Sequence, residues 1–130
     1  MIKIEISPGE LIDKWTILII KERKFREIHG NHDKWQNVVT EMNVLESKVN
    51  ILTRHIQVPE LLKSLLDVNL KLWGIEDEIR IHERDKRFDQ RFIDLARLVY
   101  MTNDKRSSFK REINTLFGSE LVEVKSYEAY

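Results

Sequence analysis

Residues 58–79 read VPELLKSLLDVNLKLWGIEDEI, and the spacing of their apolar side chains decides the fold class. Apolar positions alternate three and four residues apart, which places them on one face of an α-helix. Pro59 suits the first turn of such a helix, because its missing N–H has no helical partner there. A face of this kind packs lengthwise against another helix, so the stretch predicts one member of a helical bundle. The face consists of Val58, Leu61, Leu65, Val68, Leu72, Ile75 and Ile79.

The segments on either side of this stretch also predict helices. The preceding one, from about residue 33 to residue 56, has the same three-and-four spacing of apolar side chains. The following one runs from Gln90 to Phe117, with Asp89 as its N-terminal cap and Gly118 as its stop signal. A short polar connection near residue 88 should fold the third and fourth helices into a long antiparallel hairpin.

A further helix is predicted near the start of the chain. Ser7 and Glu10 form a capping box around Pro8, and Gly30 marks the end. The sequence therefore predicts an all-α protein, an antiparallel bundle of about four helices within a single domain of residues 1–130. Period-2 alternation over residues 2–6 and strand-like composition over residues 121–127 predict two short extended segments that could pair with each other.

The composition narrows the classes of function. The 22 Lys and Arg residues balance 22 Asp and Glu residues, which disfavours binding to nucleic acid or to an anionic membrane surface. The chain has no cysteine, and it shows neither a signal peptide nor an apolar run long enough to span a membrane. We therefore expect a cytoplasmic protein that is not inserted in a membrane.

Polar residues interrupt the apolar faces of two helices. Thr102 and Arg106 take apolar positions in the fourth helix, and Glu22 takes one in the first. Such groups need partners, because an unpaired buried charge costs several kcal/mol. Hairpin geometry places Arg106 beside Asn69 and Trp73, so we expect a polar layer to cross the bundle at mid-height.

Two interpretations of this layer are open. In one, it is a structural network in which Arg106 bonds Asn69 and either Glu76 or Glu22, and so fixes helix register. In the other, it lines a pocket where Arg106, with Arg80 or Lys110, binds an anion against an aromatic wall. The candidate residues are Asn69, Trp73, Glu76, Arg80, Tyr100, Asn103 and Arg106.

A cluster of carboxylates is a third candidate. Glu10 and Asp13 on the first helix could meet Glu76 and Asp77 on the third, an oxygen-rich arrangement that Mg²⁺ can use. The alternative is that acids near a helix N-terminus favour its dipole and that the others are solvated. The spacing is not specific, so we assign no metal ligand and leave Mg²⁺ open as a cofactor.

Three blocks of the sequence resemble a family of small bacterial and phage proteins of unknown function. They are SPGELIDKWTIL at 7–18, NLKLWGIEDEIR at 69–80 and FIDLARLVYMTNDKRSSFKREINTLFGSELVEVKSY at 92–127. The resemblance implies at most a supporting role in surface-polysaccharide synthesis. The chain departs from the expected pattern at Ile19 and at Val124, where relatives have acidic residues.

Two hypotheses of function follow, and the sequence does not decide whether the protein is an enzyme. The first is an interaction or assembly module that forms a homo-oligomer or binds another helical protein. The alternative is a small all-α enzyme or ligand-binding protein that acts on a phosphorylated or carboxylated metabolite. By analogy alone, it would resemble Mg²⁺-dependent nucleotide pyrophosphohydrolases or helical chorismate mutases.

Overall fold

The structure, a computed structural model, describes all residues 1–130 and contains four α-helices and no β-strand. This confirms the predicted all-α class. None of the helices has the length and apolar character of a membrane span. The helices are α1 (Pro8–Glu27), α2 (His32–Thr53), α3 (Val58–Arg84) and α4 (Gln90–Leu116).

The predicted capping signals begin and end the helices as expected. The Ser7 hydroxyl oxygen accepts a hydrogen bond from the Glu10 backbone N–H at 3.2 Å, which starts α1. At α4, Asp89 Oδ1 accepts one from the Phe92 N–H at 3.1 Å. Gly118 follows α4 with φ of 59°, a left-handed conformation that favours glycine.

α1 is the central helix, because it packs extensively against each of the other three. α3 and α4 form the predicted hairpin, whereas α2 packs mainly on α1, meets α3 at few positions and does not contact α4. Helix α1 therefore buries two faces, one against α2 and one against the α3–α4 hairpin.

The main apolar core lies where α1 and α3 begin and α4 ends. It joins Leu11 and Ile12 of α1 to Val49, Val58, Leu65 and Ile113. In its first turn, α1 approaches α4 so closely that a Cβ atom on Gly9 would lie 2.3 Å from the Lys110 carbonyl oxygen. The Gly9 N–H donates a 2.7 Å hydrogen bond to Asn114 Oδ1, which ties the first turn of α1 to α4.

The two terminal segments do not pair as strands. Ile2 and Ile4 are 92% and 77% exposed, so the alternation over residues 2–6 has no packed face. The C-terminal segment is attached to α4 through side chains instead, since Glu123 pairs with Lys110 and the Tyr130 hydroxyl donates to Asp104. An isolated pair of short strands is marginal without a third strand or an apolar surface to cover it.

Candidate functional site

A buried ion pair lies at mid-height between α1, α3 and α4. Asp13 of α1 is 1% exposed, and both of its carboxylate oxygens accept hydrogen bonds from Arg106 of α4. The distances are 2.8 Å from Nε to Oδ1 and 2.5 Å from Nη2 to Oδ2. Asn69 of α3 completes the group, because its Nδ2 donates to Asp13 Oδ1 at 2.9 Å and to Thr16 Oγ1 at 2.8 Å.

Helix geometry explains why these side chains meet. Gly9, Asp13, Thr16 and Ile20 are buried at spacings of four, three and four, so they lie on the face of α1 that covers the hairpin. The hydrogen bond with Asp13 raises the pKa of Arg106 although burial opposes the shift. Arg106 therefore stays cationic, and its side chain remains 28% exposed above the sealed carboxylate.

Arg106 lies in the lining of an open cleft of about 420 Å³ between α1, α3 and α4. Five other residues predicted for the polar layer also line this cleft: Asn69, Trp73, Glu76, Arg80 and Asn103. Asp77 contributes a carboxylate, and Ile17, Ile20 and Leu72 contribute apolar wall. The sequence does not identify these three aliphatic residues as wall, because their positions are typical of an ordinary core.

Several polar groups in the cleft have no partner within the protein. Arg106 has five N–H groups and uses two on Asp13, which leaves three. Asn69 Oδ1 accepts no hydrogen bond, and the side chains of Asn103 and Asp77 form none. Glu76, by contrast, pairs with Arg80 at 3.2 Å. The unpaired groups are the ones available to a ligand.

The predicted partners of Arg106 are corrected by the structure. Glu76 pairs with Arg80, and Glu22 accepts a 3.1 Å hydrogen bond from Trp35 Nε1 of α2. Glu22 lies nine residues beyond Asp13, roughly 13 Å along the helix axis, so it cannot reach the level of Arg106. It also lies on the face of α1 that α2 covers.

Tyr100 does not join the cleft. It is 44% exposed and packs edge-on against Tyr130, with ring centroids 5.3 Å apart. A residue six positions before Arg106 is rotated by about 120° around the helix, whereas Asn103 is rotated by only about 60°. Asn103 therefore lines the cleft and Tyr100 faces the C-terminal segment.

The proposed carboxylate cluster does not form. Asp13 is bonded to Arg106, Asp77 lines the cleft, and Glu10 lies 2.8 Å from Lys110 Nζ. No three acidic or histidine side chains are placed to hold a metal ion. Glu76 is bonded to Arg80, so three of the four acids are held by three different cations, which their spacing along the helices could not reveal.

Lys110 is a second buried cation, and it also has its partners. Its residue is 7% exposed, and Nζ lies 2.8 Å from Glu10 Oε2 and 2.9 Å from Glu123 Oε2. Burial alone would lower the pKa of Lys110, but the bonds to the two carboxylates outweigh it and raise the pKa. Lys110 thus joins the start of α1 to the C-terminal segment and does not face the cleft.

We expect the part of the C-terminal segment around Glu123 to detach from α4 in acid. The hydrogen bond from Lys110 lowers the pKa of Glu123 below its ordinary value of 4.5. The pair therefore contributes fully above that ordinary value, and its contribution is lost as the pH falls through the lowered pKa. Backbone ¹⁵N relaxation of residues 120–125 measured against pH should show mobility rising in that window, while the amides of α4 keep their native shifts.

In the variant Glu123→Gln, residues 120–125 should already be mobile at neutral pH. Glu120→Gln is the matched control, because Glu120 lies in the same segment and has no ion-pair partner. Equal order of the segment at neutral and acid pH would contradict this assignment.

The fold and the site define a class: an all-α bundle with an open cleft between helices, above a buried carboxylate–arginine pair. Residues 2–130 match a family described as "Family of unknown function (DUF6165)", and the chain belongs to that family. This confirms the resemblance to a family of unknown function. The chain matches no curated protein and no solved structure.

Proposed function

We propose that the protein binds a small metabolite bearing a carboxylate or phosphate group in the cleft, with Arg106 as its anchor. The observation that carries the proposal is the two-point bond from Arg106 to the buried Asp13, which leaves three N–H groups without a protein partner beside open space. A planar guanidinium recognises carboxylate and phosphate oxygens through such parallel N–H groups.

Asp13 has two opposite effects on this site. It holds the Arg106 side chain in one orientation, so little conformational entropy is lost when a ligand binds. It also neutralises the charge of Arg106, so attraction of an anion depends on directional hydrogen bonds more than on net charge. We therefore expect modest affinity, with selectivity for groups that present two oxygen atoms side by side, such as carboxylate and phosphate.

The rest of the cleft supports a ligand of metabolite size. Its volume of about 420 Å³ falls within the range of roughly 300–1,000 Å³ that is usual for small-molecule sites. The indole ring of Trp73 and the side chain of Ile17 line it beside the unpaired amide of Asn103. The separation of Glu10 from Asp77 argues against a magnesium-dependent pyrophosphohydrolase built on those acids.

The test is a thermal-shift screen of carboxylates and phosphates against the intact protein. A ligand present at about 100 times its dissociation constant should add about 2.7 kcal/mol to the free energy of unfolding. Arg106→Lys keeps the charge but loses the two-point geometry, and it should abolish the stabilisation. Asn103→Ala removes a side chain with no protein partner, and it should weaken binding at unchanged basal stability.

Arg91→Lys is the matched control for Arg106→Lys. Arg91 makes the same kind of two-point bond, to Glu78 with both distances 2.7 Å, but it is exposed and lies outside the cleft. Ligand-induced stabilisation should be unchanged in this variant. A ligand that stabilises wild type, Arg106→Lys and Asn103→Ala equally would contradict the proposed site.

Other expectations stay predictions. They are self-association or binding to another helical protein, a cytoplasmic location and a supporting role in surface-polysaccharide synthesis. The only added support is for self-association, since apolar side chains such as Val44, Ile51 and Ile56 of the α2 region are more than half exposed.

A further inference from the structure

Resting on the proposed function, we infer that the ligand is a zwitterion that spans the cleft. Its carboxylate or phosphate bonds Arg106, and its ammonium group pairs with Asp77. The inference depends on the balance of charge in the cleft, on the distance between the two groups and on the apolar wall between them.

The charges in the cleft leave one carboxylate without a partner. Arg106 is neutralised by Asp13, and Arg80 by Glu76. Asp77 lines the same cleft and forms neither a hydrogen bond nor an ion pair. The net uncompensated charge among these five residues is therefore negative. It favours a ligand with a positive group at that end and opposes a ligand with two negative groups.

Lys24 of α1 lies close to the cleft, because it contacts Trp73. Its ammonium group lies 5.5 Å from the centroid of the Trp73 ring, a cation–π contact, and it forms no ion pair with Asp77. Lys24 and Arg80 thus each have another partner, and no cation of the protein forms an ion pair with Asp77. Asp77 is left for the ligand.

The two ends of the cleft are separated by a length suited to a short chain. Asn69 marks the level of Arg106, and Asp77 follows it by eight residues, which is roughly 12 Å along α3. Leu72 and Trp73 lie between them on the same helix, and Ile20 of α1 lines the same cleft. The cleft therefore suits a ligand with an anionic group at one end, an apolar chain in the middle and an ammonium group at the other end.

The test uses chemically matched probes on the intact protein. They are 6-aminohexanoate, hexanoate and adipate, together with the corresponding eight-carbon compounds, and affinities are measured by calorimetry or NMR titration. At the better of the two lengths, the amino acid should bind about tenfold more tightly than the monocarboxylate, a difference of about 1.4 kcal/mol. The dicarboxylate should bind more weakly than the monocarboxylate, because its second charge faces Asp77.

Asp77→Asn should reduce the affinity for the amino acid to that of the monocarboxylate, without weakening the monocarboxylate. Asp67→Asn is the matched control: Asp67 lies on the same helix, is exposed, has no ion-pair partner and does not line the cleft. This control should leave the affinities for all of the probes unchanged.

The outcomes separate this inference from the proposed function. If the monocarboxylate and the dicarboxylate bind as tightly as the amino acid, and Asp77→Asn changes no affinity, the inference of a zwitterionic ligand is wrong. The proposed anion site at Arg106 is then still supported. If neither these probes nor any carboxylate or phosphate of the wider screen binds, the proposed function itself is wrong.

Discussion

Replacing Asp13 with Asn is expected to lower the free energy of unfolding by about 3 kcal/mol, because removing one partner strands the other charge of a buried pair. Asp13 is 1% exposed and accepts bonds from both Arg106 and Asn69. Loss of its charge leaves the guanidinium partly buried without a counter-ion. Chemical denaturation of both proteins at one pH gives the difference directly.

Glu76→Gln is the control for this prediction. The Glu76–Arg80 pair is exposed on both sides, and exposed pairs contribute about 0–1 kcal/mol. In addition, Asp13→Leu combined with Arg106→Met removes both charges together and should recover most of the lost stability. A loss for Asp13→Asn no larger than that for Glu76→Gln would show that Asp13 is not the sealed counter-ion of Arg106.

Gly9→Ala is the second substitution for which we expect a large loss, again about 3 kcal/mol. The new Cβ would lie 2.3 Å from the Lys110 carbonyl oxygen and 2.8 Å from Asn114 Oδ1. Neither neighbour can yield cheaply, since one is helix backbone and the other accepts the Gly9 N–H. Overpacking costs about 1–3 kcal/mol, and loss of the hydrogen bond from Gly9 to Asn114 costs about 1 kcal/mol more. The midpoint temperature of thermal unfolding should fall by roughly 10 °C.

Gly74→Ala provides the matched control within α3. A Cβ at Gly74 would meet nothing within 4 Å, and glycine in a helix interior is less favourable than alanine by up to about 1 kcal/mol. Gly74→Ala should therefore stabilise the protein slightly. Equal effects of the two substitutions would mean that α1 does not approach α4 as closely as the structure has it.

The helices could be predicted from the sequence because their signals are local. Side chains within one turn decide a cap such as Ser7 or Asp89, and the spacing of apolar residues within one segment decides the buried face. The extended termini were predicted less well, because alternation over residues 2–6 shows strand tendency without showing whether a partner is in reach.

The site was only partly predictable, and the reason lies in α1. The spacing of apolar residues in α1 indicates one buried face, which includes Glu22, and predicts that this face meets the polar layer. A central helix buries two faces, and the second runs through Gly9, Asp13, Thr16 and Ile20. A small residue, a carboxylate and a hydroxyl at helical spacing on that second face were the signal for the partner of Arg106.

The sequence correctly predicts that Arg106 and Asn69 lie at the same level, because both are on the hairpin and its short turn sets their relative height. For Tyr100, the prediction is wrong in the direction of the side chain around α4 and not in its height along the helix axis. The hairpin turn determines level along the axis, but the direction of each side chain depends on its angle around α4. Asn103, three residues from Arg106, satisfies both conditions.

The claim on which the rest depends is that Arg106 is the anion anchor of an open cleft. The most direct test is an NMR titration of the arginine side-chain N–H signals with acetate and with inorganic phosphate. We predict that the Arg106 signals shift first and reach saturation, while those of the exposed Arg91 drift only slightly and linearly. Arginine signals that all drift together without saturation, with Arg106 no different from Arg91, would contradict it.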